Sequence, residues 1–169
     1  NIVVGVYDGD KLCFISRLAS DQNRTSDETA VQLKAVLSIH DIDITSIDGA
    51  IISSVVPMIT DPLSKAIIIL TGKKPLVVGP GMKTGINIGI DNPAQLGGDL
   101  VAGAVGAIDA YKMPCVVIDM GTASTISVLD KQGAFLGGVI AAGVRLTLKA
   151  LTENTALLSS IPIEAPKSV

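Results

Sequence analysis

The chain has 169 residues, 48% hydrophobic and 17% charged, with a net charge of −3 and a sequence pI of about 5.0. That apolar content excludes an intrinsically disordered chain, and the length suits one domain or two small ones, burying roughly 70% of the unfolded surface. Acids outnumber bases by 16 to 13 and the aromatics are two Tyr and two Phe, which argues against a nucleic-acid surface built on basic patches or stacking rings.

Residues 1–7 (NIVVGVY) form a β-branched run, and Asp8-Gly9-Asp10 turns it into KLCFISRLA, a hairpin signal. Thr25 and Glu28 make a T-x-x-E capping box ahead of a helix with Leu33, Val36, Leu37 and His40 at helical spacing. Residues 47–56 (IDGAIISSVV) predict a buried strand ending at Pro57. A helix is expected from Thr60-Asp61-Pro62, with Gly72 as its stop. PLVVG at 75–79 predicts a strand, GPGMKTGINIGI a glycine-punctuated loop, and Asp91-Asn92-Pro93 the start of a long helix running to about Tyr111. Three strands then follow, CVVID, STISVLD and AFLGGVIA, ahead of a helical stretch at 143–158. No apolar run approaches the ~18 residues of a membrane span and no leader opens the chain, so a cytoplasmic protein without membrane contact is expected. Cys13 and Cys115 lack the neighbouring cysteines of a zinc site or disulfide framework.

The hairpin IVVGVYDGDKLCFISRLA is of the same kind as TISVLDKQGAFLGGVIA, and each precedes a helix. Read as two copies of one unit, they predict a two-lobed α/β protein. On that reading the first lobe is expected over residues 1–112, lacking its opening strand and the turn after it, and residues 113–169 are expected to begin the second.

The strongest chemical signal is the run from Val116 to Thr125, in which an apolar strand delivers Asp119 to a Gly121-Thr122 turn rich in hydroxyls. Glycine admits a phosphate to the backbone, hydroxyls and N–H groups donate to it, and the Asp can hold a cation. A tight hairpin with a solvated carboxylate has the same appearance. Asp99, in Gly97-Gly98-Asp99-Leu100, is the second candidate. Its glycines leave room for a ligand, and partial burial would tune it toward general-base work. The alternative is an Asp favoured by the helix dipole alone. The Gly79–Gly85 loop matches neither the Walker nor the G-x-G-x-x-G spacing and reads as a connection; His40 suits a structural position at a helix C-terminus.

VYDGDKL, IISSVVP, PLVVGPGMKTGINI, DNPAQLGGD, IDMGTAST and GGVIAAG, in that order, resemble the type III pantothenate kinases of the acetate and sugar kinase/Hsc70/actin superfamily. The resemblance implies duplicated ribonuclease H-like (actin-like ATPase) domains, an α/β fold with a mixed sheet and helices on both faces. It implies ATP-dependent phosphorylation of pantothenate, the entry step to coenzyme A, by a homodimer using Mg2+ and K+ or NH4+. Asp99 then matches the proton acceptor, and Gly97, Gly98, Leu100 and Ile90 match substrate-binding positions. Asp119 matches the monovalent-cation ligand, and Thr122, Gly121 and Asn1 match ATP contacts. A phosphate loop of the D-x-G-N-T type precedes Asn1 in the family, so the 169-residue piece alone is expected to be inactive.

Three departures stand out. Leu100 replaces an Arg that could clamp an anion, Ile90 a substrate-contacting Tyr, and Ala142 a Pro. The first two fall on the pantothenate side. They keep two alternatives open: a paralogue with a regulatory role like that of Bvg accessory factor, and a small-molecule kinase with another acceptor.

Overall fold

A computed structural model describes residues 1–155 and 162–164. The content is mixed α/β, and the chain divides into two compact units: Asn1–Met82 with Gly97–Ala102, and Lys83–Leu96 with Gly103–Val169. These units do not follow a division after Lys112: residues 83–96 belong to the second, and the boundary passes through a helix. Pairing among the described strands gives three separate sheets, two antiparallel and one parallel, rather than one mixed sheet.

In the first unit, β1 (Ile2–Asp8) and β2 (Lys11–Leu18) form the expected hairpin. Gly9 takes φ +57 at its turn, a conformation that a side chain disfavours. Helix α1 (Ser26–Ile39) is capped as its sequence dictates: Thr25 Oγ1 accepts from the Glu28 N–H, and a Glu28 carboxylate oxygen accepts from the Thr25 N–H at 2.8 Å. His40 caps the helix C-terminus and stacks on Phe14 with ring centroids 3.9 Å apart.

Helix α2 (Pro57–Thr71) begins three residues before the expected Thr60. Pro57 needs no N–H at the first helical position, and Pro62 is carried inside the helix. Gly72 ends α2 in the left-handed conformation, as expected. Ala30, Leu33 and Ala66 form the core between α1 and α2, joined by Val4 and Leu18 from alternating hairpin positions. The long strand expected over 47–56 is reduced to β3 (Ile51–Ile52), parallel to β4 (Leu76–Val77), with 2.8 Å bonds from Leu76 N–H to the Ala50 oxygen and from Val78 N–H to the Ile52 oxygen.

Asp91-Asn92-Pro93 does not start the long helix. Pro93–Gln95 makes a 3-10 turn, Leu96-Gly97 breaks it, and α3 (Gly98–Ala110) follows. In the second unit β5 (Cys115–Met120), β6 (Ala123–Leu129) and β7 (Phe135–Ala142) form an antiparallel sheet, followed by α4 (Val144–Asn154). The expected helical residues 156–158 lie outside the described ones. Leu129 and Phe135 are fully buried with Ala104 and Ala107; burying side chains of this size contributes about 1.5–3 kcal/mol each.

The two hairpins share an irregularity. Tyr7 pairs with Leu12 and Val6 with Phe14, leaving Cys13 as the extra residue. Leu129 pairs with Phe135 and Val128 with Gly137, leaving Leu136 extra. Each bulge follows the partner of the residue that precedes the turn's Asp, Asp8 in one hairpin and Asp130 in the other.

Candidate functional site

In the first unit, the carboxyl ends of β3 and β4 lead into Ser53–Val56 and Val78–Gly79. Ligands of parallel α/β sheets bind at this end of the strands. The N-terminus of α3 is seated there because Gly98 has no side chain: a Cβ would lie 3.0 Å from the Val78 carbonyl oxygen. A Cβ on Gly97 would collide with Asp99 Oδ1 and lie 3.5 Å from Val55 Cγ1. Asp99 Oδ1 accepts the Leu100 N–H at 2.9 Å, while Oδ2 takes no protein hydrogen bond among the described residues. Asp99 is exposed rather than partly buried, and Gly97, Gly98 and Leu100 are half-buried beside it. Such a carboxylate, oriented through one oxygen and open at the other, can accept a proton from a hydroxyl.

In the second unit, Gly121 and Thr122 join β5 to β6. The Gly121 N–H donates to the Ala123 oxygen at 3.0 Å, and the Gly143 N–H donates to the Thr122 oxygen at 2.9 Å. Asp119 is exposed opposite Thr125 in the ladder, and no described cation pairs with it. No group of three or more His, Cys, Asp or Glu side chains among the described residues could hold a metal.

Two further candidates are Asn1 and Ile90. The Asn1 nitrogen donates to Ser20 Oγ at 3.2 Å at the end of β1 remote from its turn. Ile90 packs half-buried against the core of Ala104, Ala107, Leu129 and Phe135. Its segment is held by bonds of 2.8 Å from the Gly89 N–H to the Phe135 oxygen and from the Phe135 N–H to the Asn87 oxygen. The Gly79–Gly85 loop contributes a turn from the Met82 N–H to the Gly79 oxygen.

The description "Type III pantothenate kinase" belongs to a family model that matches residues 1–169, the whole chain. The chain belongs to the type III pantothenate kinase family. A type III pantothenate kinase of Exiguobacterium sibiricum is 38% identical over 168 residues, 99% of this chain and 66% of that relative. The chain therefore spans just under two thirds of the relative's length.

Within the family frame, Gly97, Gly98, Asp99 and Leu100 come together in one unit, and Asp119, Gly121 and Thr122 in the other. Val78 and Gly143 lie inside the motifs PLVVGPGMKTGINI and GGVIAAG, but sequence reasoning gave neither a role: the Val78 carbonyl seats α3, and Gly143 abuts the β5–β6 turn. Besides its place in GGVIAAG, Gly143 carries one sequence signal, a Gly opening a helix where Ser, Thr, Asp or Asn is the usual cap.

Proposed function

We propose that the full-length protein containing this chain transfers the γ-phosphoryl group of ATP to the primary hydroxyl of pantothenate, the first step of coenzyme A synthesis. The observation that carries this reading is Asp99, held through one oxygen and open at the other in a chain matched by the family over its whole length. Asp99 takes the hydroxyl proton as that oxygen bonds to the γ-phosphorus, and the bond from phosphorus to the β–γ bridging oxygen breaks to release ADP. Gly97, Gly98 and Leu100 shape the acceptor side, and Ile90 stands at a substrate-binding position of the family. Thr122, Gly121 and Asn1 contact the nucleotide.

Asp119, with neighbouring hydroxyl and carbonyl oxygens, would hold K+ or NH4+; Mg2+ would travel with the nucleotide. Bound cations supply charge neutralisation for the phosphates. The repeated bulge after Leu12 and Phe135 supports two ribonuclease H-like, actin-like lobes, one containing the β1–β2 hairpin and the other β5, β6 and β7. The homodimer and a cytoplasmic location rest on the family resemblance. No described helix is long and apolar enough to cross a membrane.

The test is ADP release by the full-length protein with ATP, pantothenate, Mg2+ and K+. Asp99→Asn is expected to lower kcat by about 10²–10⁴. Unchanged turnover removes Asp99 as the base, and no pantothenate-dependent release from the wild type removes the reaction.

A second reading, a kinase for another hydroxyl acceptor, is favoured by one observation: Ile90 is engaged in core packing and Leu100 offers no charge. A screen of hydroxyl acceptors separates the two. Nucleotide binding without any acceptor favours a regulatory paralogue instead.

A further inference from the structure

Gly143 lies between β7 and α4 and is buried. Its φ of −67° and ψ of 159° are ordinary extended backbone that any residue adopts, so conformational freedom does not account for a glycine here. Space does. A Cβ would collide with the Gly121 carbonyl oxygen and lie 2.5 Å from the Thr122 oxygen and 2.9 Å from the Thr122 carbonyl carbon. All three are backbone atoms, which cannot yield without moving the turn. The Gly143 N–H also donates to the Thr122 oxygen at 2.9 Å, and the Gly143 oxygen accepts the Thr147 N–H in the first turn of α4 at 2.9 Å.

We infer that Gly143 is a positioning residue for the nucleotide-contacting turn at Gly121 and Thr122. In a trans peptide the carbonyl and the following N–H point in opposite directions. With the Gly121 and Thr122 carbonyls turned onto Gly143, the N–H groups of Thr122 and Ala123 face the other way, where a phosphate oxygen would meet them. The absent side chain thus lets the start of α4 act as a stop that sets the direction of the turn's donors. This role rests on the nucleotide-binding reading of the turn.

The experiment compares ATP binding by the full-length wild type, Gly143→Ala and Gly138→Ala, using calorimetric titration alongside thermal unfolding. Gly138 is the control: a Cβ there would lie 2.5 Å from the Ile126 oxygen, a comparable backbone clash in the same sheet away from the turn. Gly143→Ala is expected to weaken ATP binding at least tenfold, and Gly138→Ala to lower the unfolding midpoint while its folded fraction binds ATP within about twofold of wild type. Equal ATP affinity in Gly143→Ala, or the same loss in both variants, overturns the inference alone. A wild type that binds no ATP removes the nucleotide reading and the inference with it. If Gly143→Ala does not fold, amide exchange in the wild type decides. Saturating ATP is expected to slow exchange at Gly121 and Gly143, and unaltered exchange at both overturns the role.

Discussion

The carboxylate of Asp99 occupies the space that a side chain at Gly97 would need. The glycines before Asp99 read in the sequence as room left for a ligand. In the structure the room at Gly97 is filled by Asp99 itself, folded back so that Oδ1 accepts the Leu100 N–H. The helix dipole favours a negative charge in this first turn, so the dipole and general-base readings of Asp99 describe the same placement.

Gly97→Ala therefore tests orientation more than folding. The crowded atom is the end of a side chain, which can swing away, so stability is expected to fall by no more than about 1 kcal/mol. Displacing the base by about 1 Å costs on the order of 10²-fold in rate. Steady-state kinetics of the full-length variant should show kcat down about 10- to 100-fold with the KM for ATP unchanged. A wild-type kcat would show that the conformation of Asp99 is immaterial.

Leu100 offers a gain-of-function test. An Arg at this position places a guanidinium fork beside Asp99, and hydrogen bonds to charged groups are worth about 1.5–3 kcal/mol. Leu100→Arg is expected to tighten pantothenate binding tenfold or more, read by calorimetry, while ATP affinity stays constant. No change would place Leu100 outside the acceptor contact.

Asp119 provides a cation test. Wild-type activity is expected to rise with added K+, whereas Asp119→Asn should respond weakly or not at all across the same titration. An identical potassium dependence in both proteins would assign the ion to other ligands.

The capping box links stability to pH. The N–H and hydroxyl of Thr25 both donate to Glu28 and hold its carboxyl below the ordinary value of 4.5. A carboxylate whose folded pKa is lowered adds stability at neutral pH and loses that contribution as pH falls through the folded value. Thr25→Ala is expected to cost about 1 kcal/mol at neutral pH. Urea melts should show a smaller difference from wild type once the pH is well below 4.5. A constant difference would mean that Glu28 is not coupled to the cap.

Much of the secondary structure was legible because its signals are local. The Asp-Gly turn made the β1–β2 hairpin, Thr25 and Glu28 started α1, Gly72 stopped α2, and the apolar runs after Pro114 became β5, β6 and β7. Element boundaries were less legible where prolines compete. Pro57, Pro62 and Pro93 each suit a helix start, yet only Pro57 opens an α-helix. Residues 47–56 read as one strand because they are apolar, but a strand extends only as far as a partner's backbone meets it, here Ile51–Ile52. In the candidate site, Asp99, Asp119 and Thr122 were visible as residue types at element ends. Ile90 ends the alternating run Ile86-Asn87-Ile88-Gly89-Ile90, a core cue that the family resemblance overrode in favour of a substrate position.

The glycines of the turns, helix ends and candidate sites separate into two kinds. Gly9 and Gly72 adopt positive φ in a turn and at a helix end, a demand of the local backbone that the sequence by itself determines. Gly97, Gly98 and Gly143 are required by a carboxylate and by carbonyls brought against them. That requirement exists only after the strands and helices have packed, because steric exclusion is a property of the pair of atoms in contact and not of either residue alone. The sequence determined the local elements and the family motifs. The tertiary structure decided which of those residues hold Asp99 and the Gly121–Thr122 turn in place.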